Sequence, residues 1–179
     1  ARFGGRVSSV LDIRMKEGNS KKISGEASIG LVSSKLTIEG PIIKDKTSFI
    51  VSGRRTYIDI LAQPFIGAFA KDGGSNVKAG YYFYDLNAKI NHKFSEKSRI
   101  FLSTYTGKDR AYTKLEDSYT DMGNQFDEKF ESSLQWGNIT TALRYNQIIN
   151  KKLFANVTAT YSRYQFDLGF NATSNITPQ

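Results

Sequence analysis

The chain has no cysteine and a single histidine, His92. Disulfide frameworks, thiolate zinc sites, iron–sulfur clusters and cysteine nucleophiles are thereby excluded. A metal centre built from histidines lacks its ligands. Proline is scarce, with three in 179 residues, and the 15 glycines follow no fixed period. Neither a collagen-like nor a proline-rich chain fits. No apolar run approaches the ~18–20 residues a membrane helix requires. That excludes a helical span and leaves a membrane β-barrel open, because barrel strands alternate and never look greasy in a window average.

What the chain does have is aromatics: 12 Phe, 10 Tyr and 1 Trp. Aromatic side chains suit a pleated surface better than a helix, and period two recurs along most of the chain. Its clearest instance is Tyr82 to Phe94, where Tyr82, Tyr84, Leu86, Ala88, Ile90, His92 and Phe94 alternate with Phe83, Asp85, Asn87, Lys89, Asn91 and Lys93. Gly137 to Tyr145 and Leu153 to Tyr161 repeat the pattern. Shorter alternating runs cover Ile23 to Leu31 and Leu36 to Glu39. Thr47 to Tyr57 and Arg99 to Gly107 read as strands of ambiguous facing, since Ile50 and Phe101 fit neither choice. Seven strands result, after a strand-like N-terminal piece from Val7 to Lys16.

The connections alternate. Lys44–Lys46, Ser95–Ser98 and Asn150–Lys152 read as tight turns, whereas Tyr57–Gly80 and Lys108–Ser132 read as long loops. In an antiparallel meander all short turns then lie at one end and all long loops at the other, the asymmetry of outer-membrane barrels. Most strands run ten residues or more, closer to the ~9–11 of a tilted membrane strand than to the ~5–6 of a soluble one. Tyr57, Tyr81, Tyr82, Tyr84, Trp136 and Tyr161 read as one aromatic girdle and Phe94 and Phe154 as the other.

The opening residues, with Phe3-Gly4-Gly5-Arg6, Ser8-Ser9-Val10, Asp12-Ile13, Lys16 and Gly18, resemble the end of the plug in TonB-dependent outer-membrane receptors. Leu36 to Pro41, Lys44-Asp45-Lys46, Ser52 to Tyr57 and Tyr105 to Asp109 resemble the first barrel strands of the Bacteroidota branch. The resemblance implies a plug end over residues 1–20 and, over residues 21–179, an all-β, antiparallel, up-and-down transmembrane barrel portion. It supplies about seven of 22 strands, so the chain is expected to be a fragment. It further implies a bacterial outer-membrane location, energised uptake of a siderophore, glycan, peptide or vitamin, and no cofactor. The implied partners are outer-membrane lipid, the remainder of the barrel and plug, and the inner-membrane TonB energy complex through a missing N-terminus. In parts of this branch a surface lipoprotein caps the loops.

Individual residues are weighed on that frame. Arg2, Arg6, Arg14 and Arg54 are expected to pair with acids such as Glu26, Glu39 or Asp85 at the plug–barrel contact; a lumenal anion site is the alternative. Tyr57, Phe65, Phe69, Tyr112 and Tyr119 are expected in ligand-binding loops, from position alone. Asp117-Ser-Tyr-Thr-Asp121 lacks the spacing of a calcium loop and reads as a solvated loop. His92 stands two residues from a turn and reads as an interfacial side chain, so no catalytic set is expected. The excess of 25 basic over 17 acidic residues gathers at turns, at Lys44, Lys46, Lys93, Lys97, Lys151 and Lys152, where it suits anionic headgroups better than nucleic acid. The alternatives are a non-transport outer-membrane sheet or barrel-assembly substrate and a soluble β-rich binding module.

Overall fold

A computed structural model describes residues 15–71 and 76–178. Seven strands form one antiparallel meander in chain order: β1 (Ser24–Ile29), β2 (Ser33–Ile43), β3 (Thr47–Thr56), β4 (Asn76–Ser95), β5 (Ser98–Asp121), β6 (Asn124–Ile148) and β7 (Phe154–Pro178). One helix, α1 (Ile58–Lys71), interrupts them. All seven expected strands are present, and so are the three tight turns at one end. The expected strand Val7 to Lys16 lies outside the described residues except for Met15 and Lys16, which are not in a strand.

Two expectations about the other end are corrected. Lys108–Ser132 is not a loop: β5 and β6 run on in unbroken register from Ser98↔Gln147 to Asp121↔Asn124. They close on Met122-Gly123, both at positive φ (48° and 78°), the backbone of a two-residue type I′ hairpin in which glycine is favoured. Tyr57–Gly80 is no open loop either, since α1 occupies most of it. The helix covers the edge of β4 beyond the end of β3, where Gln63 Nε2 donates to the Ala79 carbonyl (2.8 Å). Thr56 Oγ1 accepts from the Phe83 amide (2.9 Å) just below.

Residues facing one another across antiparallel strands share a face, so the register sorts the sheet into two surfaces. The front carries Leu36, Leu86 and Ile139 in one row, Ile38, Val51, Ala88 and Tyr161 in the next, and Phe49, Ile90, Leu102 and Leu143 in the third. His92, Ile100, Tyr145 and Val157 form the fourth. The sole charge in these four rows is Arg163, at the top of the band. Among the described residues no second layer covers it: Leu86, Ile90, Leu143 and Val157 are 44%, 41%, 45% and 64% exposed.

The back of the same rows is polar: Thr37, Ser52 and Asn87; Lys35, Arg54 and Asp85; Glu39 and Lys89; Ser48 and Asn91. Here lie Ile50 and Phe101, whose facing the alternation leaves ambiguous, and they are the buried apolar pair of the described chain. Phe101 sits under two cations, Lys89 Nζ at 5.2 Å and Arg144 Cζ at 5.8 Å from its ring, whose stems shield it from water. Ile50 faces a hollow that it shares with Met15. The segment before β1 crosses this face. Met15 O accepts from Lys89 Nζ (3.2 Å), and Glu17 O accepts from Ser48 Oγ (2.8 Å) and Asn91 Nδ2 (2.6 Å). Gly18, at φ 82°, approaches the Phe49 carbonyl too closely for any side chain.

Candidate functional site

Above the row Arg55, Tyr84, Lys108, Gly137 and Gln165 the alternation changes phase. On β4 the apolar residues are even-numbered from Tyr84 to His92 and odd-numbered from Val77 to Phe83. β5 changes near Lys108, β6 at Gly137 and β7 between Tyr161 and Tyr164. The register shifts only near the tight turns, between Pro41 and Ile43 and between Lys93 and Ser95. β5–β6 and β6–β7 have no shift at all. The greasy surface therefore crosses from front to back along one line through four strands.

Above that line the back carries Phe83, Trp136 and Phe166 beside Asp109, then Tyr81, Leu134 and Leu168, and higher Leu115, Phe130 and Ala172. Tyr81 and Trp136 stack at 6.3 Å and 25°, with Phe83 tilted against Tyr81 at 6.3 Å. Tyr81 donates its hydroxyl to Asp109 Oδ1 (2.6 Å). That hydrogen bond to a carboxylate, helped by burial and by the carboxylate's charge, pushes the Tyr81 phenol up to about 12. Higher still, Leu115, Phe130 and Ala172 line a hollow of about 480 Å³ with Asp117, Glu128 and Lys129, whose ammonium is held by Glu116 and Glu131 of the front. At the tip, Tyr119 stacks on Phe126 (5.1 Å) and donates to Glu128 (3.3 Å).

The charges segregate as sharply. Among the described residues, the back above the line carries Asp109, Asp117, Asp121 and Glu128 and no basic residue. The front of the same segment carries Lys78, Lys108, Arg110, Lys114 and Lys129 with Glu116, Asp127, Glu131 and Asp167. Ion pairs link Lys114 to Glu131 (2.8 Å) and Lys129 to Glu116 (3.2 Å) across it.

The expected site residues do not gather in one place. Arg2, Arg6 and Arg14 lie outside the described residues. Arg54 binds Asp85 of the next strand through Nε and Nη2 (2.8 and 2.7 Å) and lies over Phe83 (4.8 Å), closing the lower border of the aromatic cluster. Glu39 accepts from Ser24 Oγ (3.1 Å), and Glu26 lines a hollow of about 490 Å³ with Met15 and Glu39. Tyr57 precedes α1 and ties it to Gly30 and Val32. Phe65 is exposed on α1, and Phe69 falls in the same helix. Tyr112 and Tyr119 are strand residues on opposite faces. Asp117 and Asp121 belong to a strand and its turn, and the described residues contain no group of three or more acids or histidines placed to hold a metal. His92 Nδ1 meets Thr47 Oγ1 (2.7 Å), and its ring meets Phe94 edge-on (4.5 Å).

The single girdle expected from Tyr81, Trp136, Tyr84 and Tyr161 divides for the same reason. Tyr84 and Tyr161 face front, whereas Tyr81 and Trp136 face back, and Trp136 lies at mid-strand. The phase change at Phe83/Tyr84, repeated at Trp136/Gly137, is the sequence signal that marks the cluster. No family model, curated protein or solved structure matches this chain, so its chemistry is read from the sheet itself.

Proposed function

We propose that this chain is wall and vestibule of a transmembrane β-barrel in the bacterial outer membrane, and that it serves nutrient uptake as a TonB-dependent receptor. The front band carries this reading. From Phe94 to Tyr84 it runs about ten residues, or ~33 Å of strand at ~3.3 Å per residue. Tilted by ~35–45°, that spans roughly 25 Å of membrane normal, the height of a barrel's apolar belt. Phe94 stands at its lower border and Tyr84 and Tyr161 toward its upper one, the places of interfacial aromatics, whereas Phe154, expected beside Phe94, falls on the back by its pairing with Ile148. Below the belt, Lys44, Lys46, Lys97, Lys151 and Lys152 crowd the tight turns, in reach of anionic headgroups.

The polar back supports a wet lumen, and the segment Met15–Ser20 lies on that side, where a plug would sit. β1 and β7 are the edges of the sheet, and lipid tolerates no unpaired edge. Further strands would therefore close the wall on this reading. A soluble binding module accounts less well for four aligned rows of uncovered apolar side chains ending on one line.

The absence of cysteine makes the test clean. In lipid vesicles, Ile90→Cys and Val157→Cys should resist a water-soluble maleimide, while Asn171→Cys on the upper front should react fully. Equal labelling of all three would sink the membrane reading. Uptake is tested separately: loss of ligand accumulation on de-energising the inner membrane is expected; unchanged accumulation would overturn energised uptake, and no accumulation in either state would leave a non-transport sheet.

A further inference from the structure

We infer that the upper back face binds an extended, basic, amphipathic peptide. The inference rests on the barrel reading, which turns this face toward the vestibule, and it names the ligand class the face suits. Three observations carry it.

The face is apolar, and among the described residues nothing covers it. On the interior strands β5 and β6, Leu115 is 39% and Phe130 40% exposed, and on the edge strand β7 Phe166, Leu168 and Phe170 are 57%, 57% and 67% exposed. Such a surface above the membrane requires an occupant.

Its charge is of one sign. A chain with net charge +8 places Asp109, Asp117, Asp121 and Glu128 on this face and sends every upper lysine and arginine of β4–β6 to the other. Asp117 and Glu128 stand directly opposite each other across the β5–β6 pair with no cation of this face between them. Like charges so placed are unfavourable by themselves and are relieved by a basic ligand. The ring faces of Trp136 and Tyr81 suit a lysine or arginine head or its stem.

The length selects a peptide over a small cation. Asp109 and Asp117 lie eight residues apart on β5, ~26 Å at ~3.3 Å per residue. A ligand reaching both needs about eight extended residues. Alternating basic and apolar side chains would set cations beside Asp109 and Asp117/Glu128 and apolar groups in the hollow over Leu115 and Phe130.

Trp136 is the only tryptophan and sits on this face, so its emission reports occupancy. The test uses the full chain in neutral phosphatidylcholine vesicles, with an octapeptide of alternating lysine and leucine and its glutamate–leucine counterpart. The basic peptide should shift Trp136 emission to the blue and the acidic one should leave it unmoved. Asp117→Asn with Glu128→Gln, both near-isosteric, should weaken the basic peptide roughly three- to tenfold, and added salt should weaken it further. Glu116→Gln on the front should change nothing. Equal response to both peptides, no response to either, or an unchanged affinity in the double variant overturns the inference. Maleimide protection of Ile90→Cys in the same vesicles separates the two failures: protection without peptide binding defeats the ligand alone, while free labelling defeats the barrel reading beneath it.

Discussion

The lower and upper halves of β4–β7 are built from the same four strands in the same register, yet they present opposite surfaces. Below Tyr84 the front is apolar and the back is polar; above it the front is laced with ion pairs and the back is aromatic and acidic. A water-soluble sheet keeps its greasy face on one side, because one core lies on one side. A surface that changes sides at a common line instead records a change of surroundings along the strand. On the barrel reading proposed above, lipid against the front would give way to water, and a wet lumen behind to a lined vestibule.

The sharpest way to break that comparison is to place one charge on each side of the line. Leu143→Arg, between Leu102 and Ala159 in the band, should cost ~2–4 kcal/mol in lipid, measured by urea unfolding from vesicles. Asn171→Arg, on the upper front, should stay within ~0.5 kcal/mol. Equal costs would mean the two halves share one environment. The line itself can be strained next. A Cβ on Gly137 would stand 2.6 Å from the Gly107 carbonyl, so Gly137→Val should lose ~1–3 kcal/mol through a forced backbone shift, with the register on both sides retained by amide exchange.

A smaller effect sharpens the upper back. Because folding raises the Tyr81 phenol to about 12, it favours the protonated form. Its contribution is complete below the ordinary tyrosine range near pH 10 and is lost as pH rises toward 12. Unfolding titrations of the parent should show this alkaline loss, and Asp109→Asn should reduce it. Least of all, Glu131→Gln removes the half-buried pairs with Lys114 and Lys129 and should cost at most ~1 kcal/mol, a difference that salt reduces.

Much of the sheet was legible because period two is local. Tyr82–Phe94 and Leu153–Tyr161 announce strands from side-chain type alone. The extensions were obscured by the phase change. Lys108–Ser132, dense in charge, reads as loop until Phe126, Phe130, Leu134 and Trp136 are seen to fall on one face. α1 escaped notice because Pro64 interrupts it and its stripe is short. Ile50 and Phe101 stayed ambiguous because what shelters them is distant in sequence: for Phe101 the stems of Lys89 and Arg144, for Ile50 the segment before β1. The candidate site was the least legible part. Tyr81, Asp109, Trp136 and Phe166 are up to 85 residues apart, and the register alone makes them neighbours.

The amino-acid order by itself settled that this chain forms long alternating strands joined by basic turns, since the alternation of apolar and polar groups is a property of adjacent residues. Tertiary structure alone decided that the phase changes of four strands coincide, that the carboxylates above the line share the aromatic side, and that the lysines do not. Alignment between strands is fixed by the hydrogen-bonded ladder, and no single strand carries that information.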